Sequence, residues 1–455
     1  MKLRLSPLSL LTVVFSLTAF AQTHRVVRIS DKDAINPSEV SVAINPKNPD
    51  NIIGVSLQSG KPGQARVSDC RYVTTDGGKT WTTLFATNPR LLPQGDDSVA
   101  FSSEGIAYHA YMSFDGIRVK RPTRAFSGIW VSASSNGGTG WTAPVPVIDH
   151  VNSVTPFEDK PYIVTDNVTG SPYRNNLYLA WTRFDVYGSK DAKHRSHILF
   201  SSSSDGGKTF AAPIEVSDTT GDCQDSDNTL EGAIAAAGVK GEIYLIWAGP
   251  QGLYFDKSLD GGVTFGTDKI IAEMPGGWDF EMPGLDRANG MPVTKVDTSN
   301  GNNRGTIYVN WIDARNGDHD VFVMASRDGG ATWTTPVRVN DDKLKNGKEQ
   351  FFTWMAVDPV DGSVNVVFYD RRNGDGTKTD VTLARSIDGG KTFVNYPLNV
   401  ASFEFDKGVF FGDYSGIDAY GGRVVPIFTH FAGKRELAVS VAIFDFKPGT
   451  QTAIP

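Results

Sequence analysis

The stretch ARSIDGGKTF, residues 384–393, contains a short polar phrase that recurs along the chain. Each copy has a Ser or Thr, any residue, an Asp or Asn, two glycines, and an aromatic residue five positions after the Asp or Asn. The spacings between successive copies are 60, 69, 55, 68 and 60 residues, so one structural unit is repeated. The six positions of this DGG turn motif are Asp76, Asn136, Asp205, Asp260, Asp328 and Asp388.

The motif has the composition of a tight hairpin turn. An Asp side chain can accept a hydrogen bond from a backbone N–H two residues further on, which closes a turn. The paired glycines supply the positive φ angles that a hairpin needs. The aromatic residue then begins the next strand and packs against the turn. We therefore predict that each motif joins the two outer strands of its unit.

Three apolar segments precede each motif, as in AIAAA, EIYLIWA and GLYFDKS before Asp260. Four short strands per unit are typical of a β-propeller blade. The mean spacing of about 62 residues leaves room for seven blades in 455 residues. After the sixth motif the chain has three more strands, so we predict that residues 24–30 supply the missing outer strand and close a seven-bladed all-β ring. A six-bladed ring with an irregular extension is the alternative.

Composition limits the function classes. The formal net charge is -7, which does not favour nucleic-acid binding. Residues 1–21 have the pattern of a secretory signal peptide, with a short basic start, an apolar stretch and Ala-Phe-Ala before Gln22. We therefore expect residues 22–455 to form one secreted, periplasmic or cell-surface domain without a membrane span. The two cysteines, Cys70 and Cys223, can either pair or remain buried thiols.

The six motifs resemble the Asp-box, or BNR, repeat of the bacterial sialidase-like superfamily, and the resemblance covers nearly the whole chain after the signal peptide. It implies a propeller with a central axial pocket that acts on glycans, as a glycoside hydrolase of exo-sialidase type. Asp-box propellers also include lyases and non-catalytic binding proteins, so a glycan- or protein-binding propeller remains the alternative.

Two segments are similar to catalytic segments of sialidases. Tyr414 in DYSGIDAYGG resembles the Tyr nucleophile, and Glu231 in NTLEGAIAAA resembles the Glu that activates it. Asp97 is a candidate acid or base beside Glu231. The candidate substrate-binding residues are Arg315, Arg371, Glu39 and Asp413.

The sequence also departs from the sialidase pattern. Glu39 occupies the position of the first Arg of the family, and Asp69 lies too close to the first motif to be its catalytic acid. We expect no cofactor and no catalytic metal, although the Asp-rich loops 222–231 and 313–320 would suit a structural Ca²⁺. The expected partner is a glycan or polysaccharide substrate, and the expected state is a monomer.

Overall fold

The computed structural model describes residues 24–59, 67–86, 93–116, 126–285 and 287–452, and these form strands and no helix. Seven four-stranded antiparallel sheets follow one another along the chain. The first three blades are β2 (Ile35–Ile44), β3 (Ile52–Ser59), β4 (Val67–Thr74) and β5 (Thr82–Phe85); β6 (Gln94–Phe101), β7 (Ala107–Asp115), β8 (Phe126–Ser134) and β9 (Val145–Val151); and β10 (Phe157–Thr165), β11 (Leu177–Phe184), β12 (Ser196–Ser203) and β13 (Ile214–Glu215).

The next three blades have the same order. They are β14 (Glu231–Ala237), β15 (Ile243–Gly249), β16 (Gly252–Ser258) and β17 (Lys269–Ala272); β20 (Val293–Val296), β21 (Ile307–Asp313), β22 (Asp320–Ser326) and β23 (Val337–Arg338); and β24 (Gln350–Val357), β25 (Val364–Asp370), β26 (Asp380–Ser386) and β27 (Val394–Pro397). A two-stranded insertion between the fourth and fifth blades consists of β18 (Asp279–Phe280) and β19 (Ala288–Asn289).

The seventh blade joins the two ends of the described chain. Its strands are β28 (Gly416–Tyr420), β29 (Arg423–Gly433), β30 (Glu436–Asp445) and β1 (Arg25–Arg28). β1 pairs antiparallel with β30, so the N-terminal strand supplies the outer edge of the last blade. This confirms the predicted seven-bladed ring and its closure. The seam buries apolar side chains of the first and last blades together, among them Val40, Tyr72, Val425 and Val441.

The first strand of each blade contacts the first strand of the next, and β28 contacts β2, so seven inner strands surround a central axis. Because each blade is an antiparallel meander, the inner strands all begin on one face of the ring. The loops between second and third strands lie on that same face, which we call the loop face. The DGG turns lie on the opposite face, which we call the turn face.

The DGG turns join the third and fourth strands of the first six blades, as predicted, but their hydrogen bonds differ from the prediction. The Asp388 carboxylate accepts from the backbone N–H groups three and four residues on, Lys391 at 3.0 Å and Thr392 at 3.1 Å, rather than two. It also accepts from the Thr392 and Ser386 hydroxyls at 2.6 and 2.7 Å. The Ser386 hydroxyl in turn accepts from the Gly390 N–H at 3.0 Å. One carboxylate thus organises the whole loop.

The two cysteines do not form a disulfide with each other. Cys70 lies in β4 of the first blade, and Cys223 lies in the loop between the third and fourth blades. Both are fully buried, in separate apolar clusters. Of the two alternatives that the sequence left open, the structure therefore has the two separate buried thiols.

Candidate functional site

Each of five inner strands begins with a β-bulge near the axis. In each bulge one residue has no partner on the neighbouring strand and has a positive φ angle. A bulge bends the strand and redirects its side chains, and a non-glycine residue in this conformation stores strain that is typical of functional sites. The residues, with φ between 47° and 73°, are Glu39, Asp96, Lys160, Gly232 and Phe352. The same local irregularity therefore sends side chains from several blades to the loop-face end of the axis.

Lys160 is the buried cation at the centre of this site. Its ammonium forms ion pairs with Glu231 at 3.0 Å and with Asp413 at 3.2 Å, and only 9% of its side chain is exposed. Burial lowers the pKa of Lys160, but the neighbouring carboxylates outweigh burial and raise the pKa well above its usual value. Lys160 is therefore charged at every pH at which the protein is expected to work.

Arg287 is a second cation of the site. Its guanidinium binds both carboxylate oxygens of Asp413, with Nε at 2.7 Å from Oδ1, and its Nη1 lies 3.0 Å from Asp225. The Asp413 carboxylate raises the pKa of Arg287, which keeps the group charged. Burial alone would raise the pKa of Asp225, but Lys160 and Arg287 hold it below its usual range. Two cations thus bind three carboxylates in one connected network.

Tyr414 follows Asp413 in the chain and connects this part of the site to the second blade. Its hydroxyl donates to Asp96 Oδ1 at 2.9 Å, and Asp96 belongs to the second blade. Burial and then the nearby carboxylates, Asp96 and Glu39 first among them, raise the pKa of Tyr414 well above its usual value. The phenol therefore stays protonated and acts as a hydrogen-bond donor in the resting site.

Among the described residues, acidic groups outnumber basic groups around the axis. Burial raises the pKa of five of the carboxyls well above the usual range, namely those of Glu39, Asp69, Asp97, Asp159 and Glu231. The described cations are Arg71, Lys160 and Arg287, and the carboxyl groups are Glu39, Asp69, Asp96, Asp97, Asp159, Asp225, Glu231 and Asp413. When they are ionised, these carboxyl groups attract positive charge and repel anions.

A small axial pocket opens among these groups. Its polar wall consists of Asp97, Lys160 and Tyr414, and the rings of Tyr162 and Trp354 lie beside it, 5.4 Å apart. The pocket is partly open to solvent, and its volume of about 30 Å³ has room for about two water molecules. A ligand larger than water must therefore sit at the mouth of the pocket and reach in with one polar group.

A larger cavity of about 600 Å³ occupies the other end of the axis, at the turn face. The C-terminal halves of the inner strands line it, mostly with small or aliphatic residues. Tyr162 lines both spaces, so its ring separates the acidic pocket from this cavity. The acidic groups and the bulges lie at the loop-face end, and we therefore place the candidate site there.

Five of the seven residues that the sequence assigned to the site meet at this end of the axis. They are Tyr414, Glu231, Asp97, Glu39 and Asp413. Their assignments as catalytic or substrate-binding residues stay predictions. The expected Tyr414–Glu231 pair is replaced by the Tyr414–Asp96 hydrogen bond, while Glu231 binds Lys160.

The two arginines expected to bind substrate have other partners. Arg315 is held by Asp313, with Nη2 at 2.5 Å from Oδ2, because the two residues flank the same tight loop. Arg371 is buried against the ring of Phe351 and donates to the Pro283 carbonyl at 2.7 Å. Within the described residues, neither has a hydrogen bond or ion pair to the axial carboxylates.

The predicted site residues did not include the two cations that organise the site. Lys160 lies in the segment FEDKP at the start of inner strand β10, and Arg287 lies in the segment DRANG just before β19. Several acidic residues lie at the starts of neighbouring inner strands, and isolated charges are costly to bury, so at least one buried cation is expected among them. The sequence therefore predicts that a buried Lys or Arg is present, but it does not identify which one.

Several carboxylates of the Asp-rich loops that suited Ca²⁺ accept hydrogen bonds from the protein's own donors. Asp227 accepts from the backbone N–H groups of Trp278 and Asp279, at 2.7 and 2.8 Å. In the second loop, Asp320 accepts from Arg338 and from Asn316, both at 2.7 Å. These oxygens already have hydrogen-bond partners.

Comparison with solved structures places the chain among β-propellers. An ulvan lyase, a polysaccharide lyase, superposes with a TM-score of 0.51 at 14% sequence identity, over 94% of this chain and 97% of that one. An α-L-arabinanase of Penicillium chrysogenum in complex with arabinobiose has a TM-score of 0.50 at 13% identity, over 93% and 98%. A Hadza microbial sialidase has a TM-score of 0.48 at 15% identity, over 83% and 72%. At these identities the likeness establishes the fold.

No protein-family model and no curated protein sequence matches the chain. Among the described residues, no helix is long and apolar enough to cross a membrane.

Proposed function

We propose that the chain is a glycan-active propeller whose loop-face axial site is a glycoside hydrolase centre. The observation that carries this proposal is the convergence of Asp97 and Tyr414 at the wall of one pocket. Both groups are held protonated, because burial and neighbouring carboxylates raise their pKa values well above the usual range. Buried titratable groups with perturbed pKa values, gathered in a concave site, are characteristic of catalytic centres.

The charge of the site suits glycoside hydrolysis. The transition state of this reaction resembles an oxocarbenium ion, which carries positive charge on the sugar ring. A fixed cluster of carboxylates stabilises such a charge without reorganising. Protonated Asp97 would act as the general acid on the leaving oxygen. Tyr414, whose hydroxyl donates to Asp96, would either orient the substrate or attack the sugar carbon as Asp96 takes its proton.

The same charge selects among sugars. A sialoside carries a carboxylate, and Arg287, which would bind it, already holds Asp413 and Asp225. Bringing another anion into this cluster would add repulsion, and the described part of the site has no free cation to offset it. We therefore propose neutral glycans as the substrate class in preference to sialosides.

The size of the pocket favours a second candidate. Its 30 Å³ admits no sugar ring, and Lys160 and Arg287 are saturated by the protein's own carboxylates. A non-catalytic propeller that binds glycan or protein across its loop face would need no deeper pocket. Ligand contacts would then come from the loops around the axis, with the ion network as structural support.

The test is hydrolysis of a panel of fluorogenic neutral glycosides and sialosides by the purified protein. Tyr414→Phe and Asp97→Asn are the site variants, and Tyr420→Phe, which alters a Tyr of the turn-face cavity, is the matched control. We expect turnover of a neutral glycoside that falls at least about 100-fold in Asp97→Asn and is unchanged in the control. Sialoside turnover alone would refute the substrate class. No turnover, with glycan-array binding that survives both site variants, would establish the binding propeller.

We also propose that the chain belongs to the Asp-box sialidase-like superfamily, on the strength of its six DGG turns, and that it is a secreted monomer. The N-terminal pattern before Gln22 supports export, and pairing of β1 with β30 covers the edge that β30 would otherwise expose. N-terminal sequencing of the exported protein should begin at Gln22. Light scattering after gel filtration should give the mass of one chain.

A further inference from the structure

Behind the Asp97 wall of the pocket, three strands of the first two blades bring together four ionisable side chains. Asp69 and Arg71 lie on β4, Asp97 on β6 and His109 on β7. All four are buried, with at most 2% of each residue exposed. The carboxylate oxygens of the two aspartates and a ring nitrogen of His109 lie within 4.8 Å of one another.

The hydrogen bonds fix the state of His109. Arg71 Nε lies 3.0 Å from His109 Nδ1, and a guanidinium can only donate, so Nδ1 must accept. The ring proton is therefore on Nε2, which donates to Asp97 Oδ1 at 2.5 Å. Burial lowers the pKa of His109 well below its usual value, so the ring is neutral. With both nitrogens engaged, His109 is not free to bind a metal ion.

Among the described residues, three of the four carboxylate oxygens of the two aspartates have no hydrogen-bond partner. They are both oxygens of Asp69 and Oδ2 of Asp97. Burial raises the pKa of both groups well above the usual range, and Asp69 raises that of Asp97 further. Two adjacent buried carboxylates with one nearby cation among the described residues, Arg71, carry an excess of one negative charge. A single proton between them would remove that charge and supply the missing donor.

The remaining charged and titratable groups that face the pair do not replace this proton. Asp96 and Glu39 add negative charge, and Tyr111 and Tyr414 are phenols whose pKa values are raised by burial. Lys160 lines the same pocket but is committed to Glu231 and Asp413. The groups packed against the pair, strand by strand, are Glu39 on β2, Arg71 on β4, Asp96 on β6, His109 and Tyr111 on β7, Lys160 on β10, and Tyr414 before β28.

We infer that Asp69 and Asp97 share one proton, and that Asp97 delivers it to a substrate oxygen in the axial pocket. This inference rests on the proposed function. The glycosidic C–O bond breaks with its electron pair going to the oxygen, which takes the proton from Asp97. Water adds to the sugar carbon, and the proton it loses returns to the aspartate pair. His109 and Arg71 stabilise the Asp97 carboxylate in between. Asp69 does not line the pocket, so it is a positioning residue.

The first test counts protons and does not depend on activity. Protein unfolded by urea at pH 7 in weak buffer releases the protons that only the folded state holds. We expect wild type to release one proton more than Asp69→Asn, and one more than Asp97→Asn. The double variant should match either single variant, because one proton is shared. Equal release from wild type and the single variants would overturn the inference.

Two further measurements complete this test. If Asp69→Asn does not fold, Asp97→Asn reports the same difference, and the infrared C=O band of a protonated carboxyl reports it in folded wild type. Calorimetry with Ca²⁺ and Zn²⁺ should detect no binding that depends on Asp69. Binding of either ion that Asp69→Asn abolishes would place a cation where we place the proton, and would overturn the inference.

The second test is kinetic and uses the glycoside found under the proposed function. Asp69→Asn should lower kcat by about 10- to 100-fold and move the alkaline limb of the pH profile to lower pH, because Asp97 then loses its proton more readily. Unchanged kinetics together with the expected proton count would overturn the donor role. If wild type hydrolyses no glycoside, the proposed function fails while the proton count still decides the shared proton.

Discussion

Replacing Lys160 by Met is expected to destabilise the fold by about 3–5 kcal/mol at pH 7, the usual cost of removing one partner of a buried ion pair. Glu231 is fully buried and would lose its only described cation, whereas Asp413 would keep Arg287. The pKa of Lys160 is raised, so its contribution is complete at pH 7 and is lost only when the pH rises through that raised value.

Urea unfolding followed by tryptophan fluorescence would measure the change. The deficit should shrink as the pH falls to 5, because Glu231 can then take a proton. Glu231→Gln combined with Lys160→Met should cost less than the two single changes added together. Lys295→Met is the matched control, because Lys295 lies at the turn-face end over Tyr162 at 5.6 Å, and it should cost less than about 1 kcal/mol. A loss below 1 kcal/mol for Lys160→Met, or strict additivity with Glu231→Gln, would refute the ion-pair interpretation.

Three other outcomes follow from the described contacts. Asp205→Ala should lower the free energy of unfolding in urea by about 1–3 kcal/mol, since the Asp205 carboxylate accepts hydrogen bonds from Thr209 and Lys208. These hydrogen bonds lower the pKa of Asp205 to about 2, so the contribution is present at neutral pH and is lost as the pH falls through about 2. Arg371→Met should destabilise the protein without changing KM for a glycan, because Arg371 is buried away from the axial carboxylates. Phe410→Ala should raise KM about 3- to 10-fold and leave stability within 0.5 kcal/mol, since this exposed ring lies beside Arg287.

Each of these outcomes has a control. Thr209→Val keeps the Asp205 carboxylate and removes one of its donors, so it should cost less than Asp205→Ala; an equal loss would contradict the assigned role. A changed KM in Arg371→Met would return this residue to the substrate site. An unchanged KM in Phe410→Ala, with Leu259→Ala on the exposed far surface as comparison, would show that glycans do not stack on this ring.

The blades were predictable because their signals are local. The Asp388 carboxylate accepts hydrogen bonds from groups within four residues of it, so a ten-residue window contains the whole turn. The seven-blade count and the β1 strand followed from repetition of that turn. The geometry of its bonds was predicted wrongly, because the serine two residues earlier, rather than the aspartate, receives the second glycine N–H.

The axial site was predictable only as a set of residues. Tyr414 and Asp96 are separated by 318 positions, and no local pattern says which carboxylate the phenol will meet. The bulges at Asp96 and Lys160 determine which side chains meet at the axis, because one extra residue moves a side chain to the other face of its strand. Asp69 was set aside because it lies too close to the first motif in sequence, and in the structure it lies beside Asp97.

Pairing of β1 with β30 also governs the order in which the molecule can be assembled. Arg25–Arg28 leaves the ribosome before any blade exists, and its partner residues Ser440–Ile443 are made more than 400 positions later. The first strand must therefore remain unpaired while six blades form in sequence. The ring can therefore close only when the full-length chain has been made. A chain released early would leave the outer edge of its last sheet and the face of its first blade uncovered. Quality-control proteases would then have access to both surfaces.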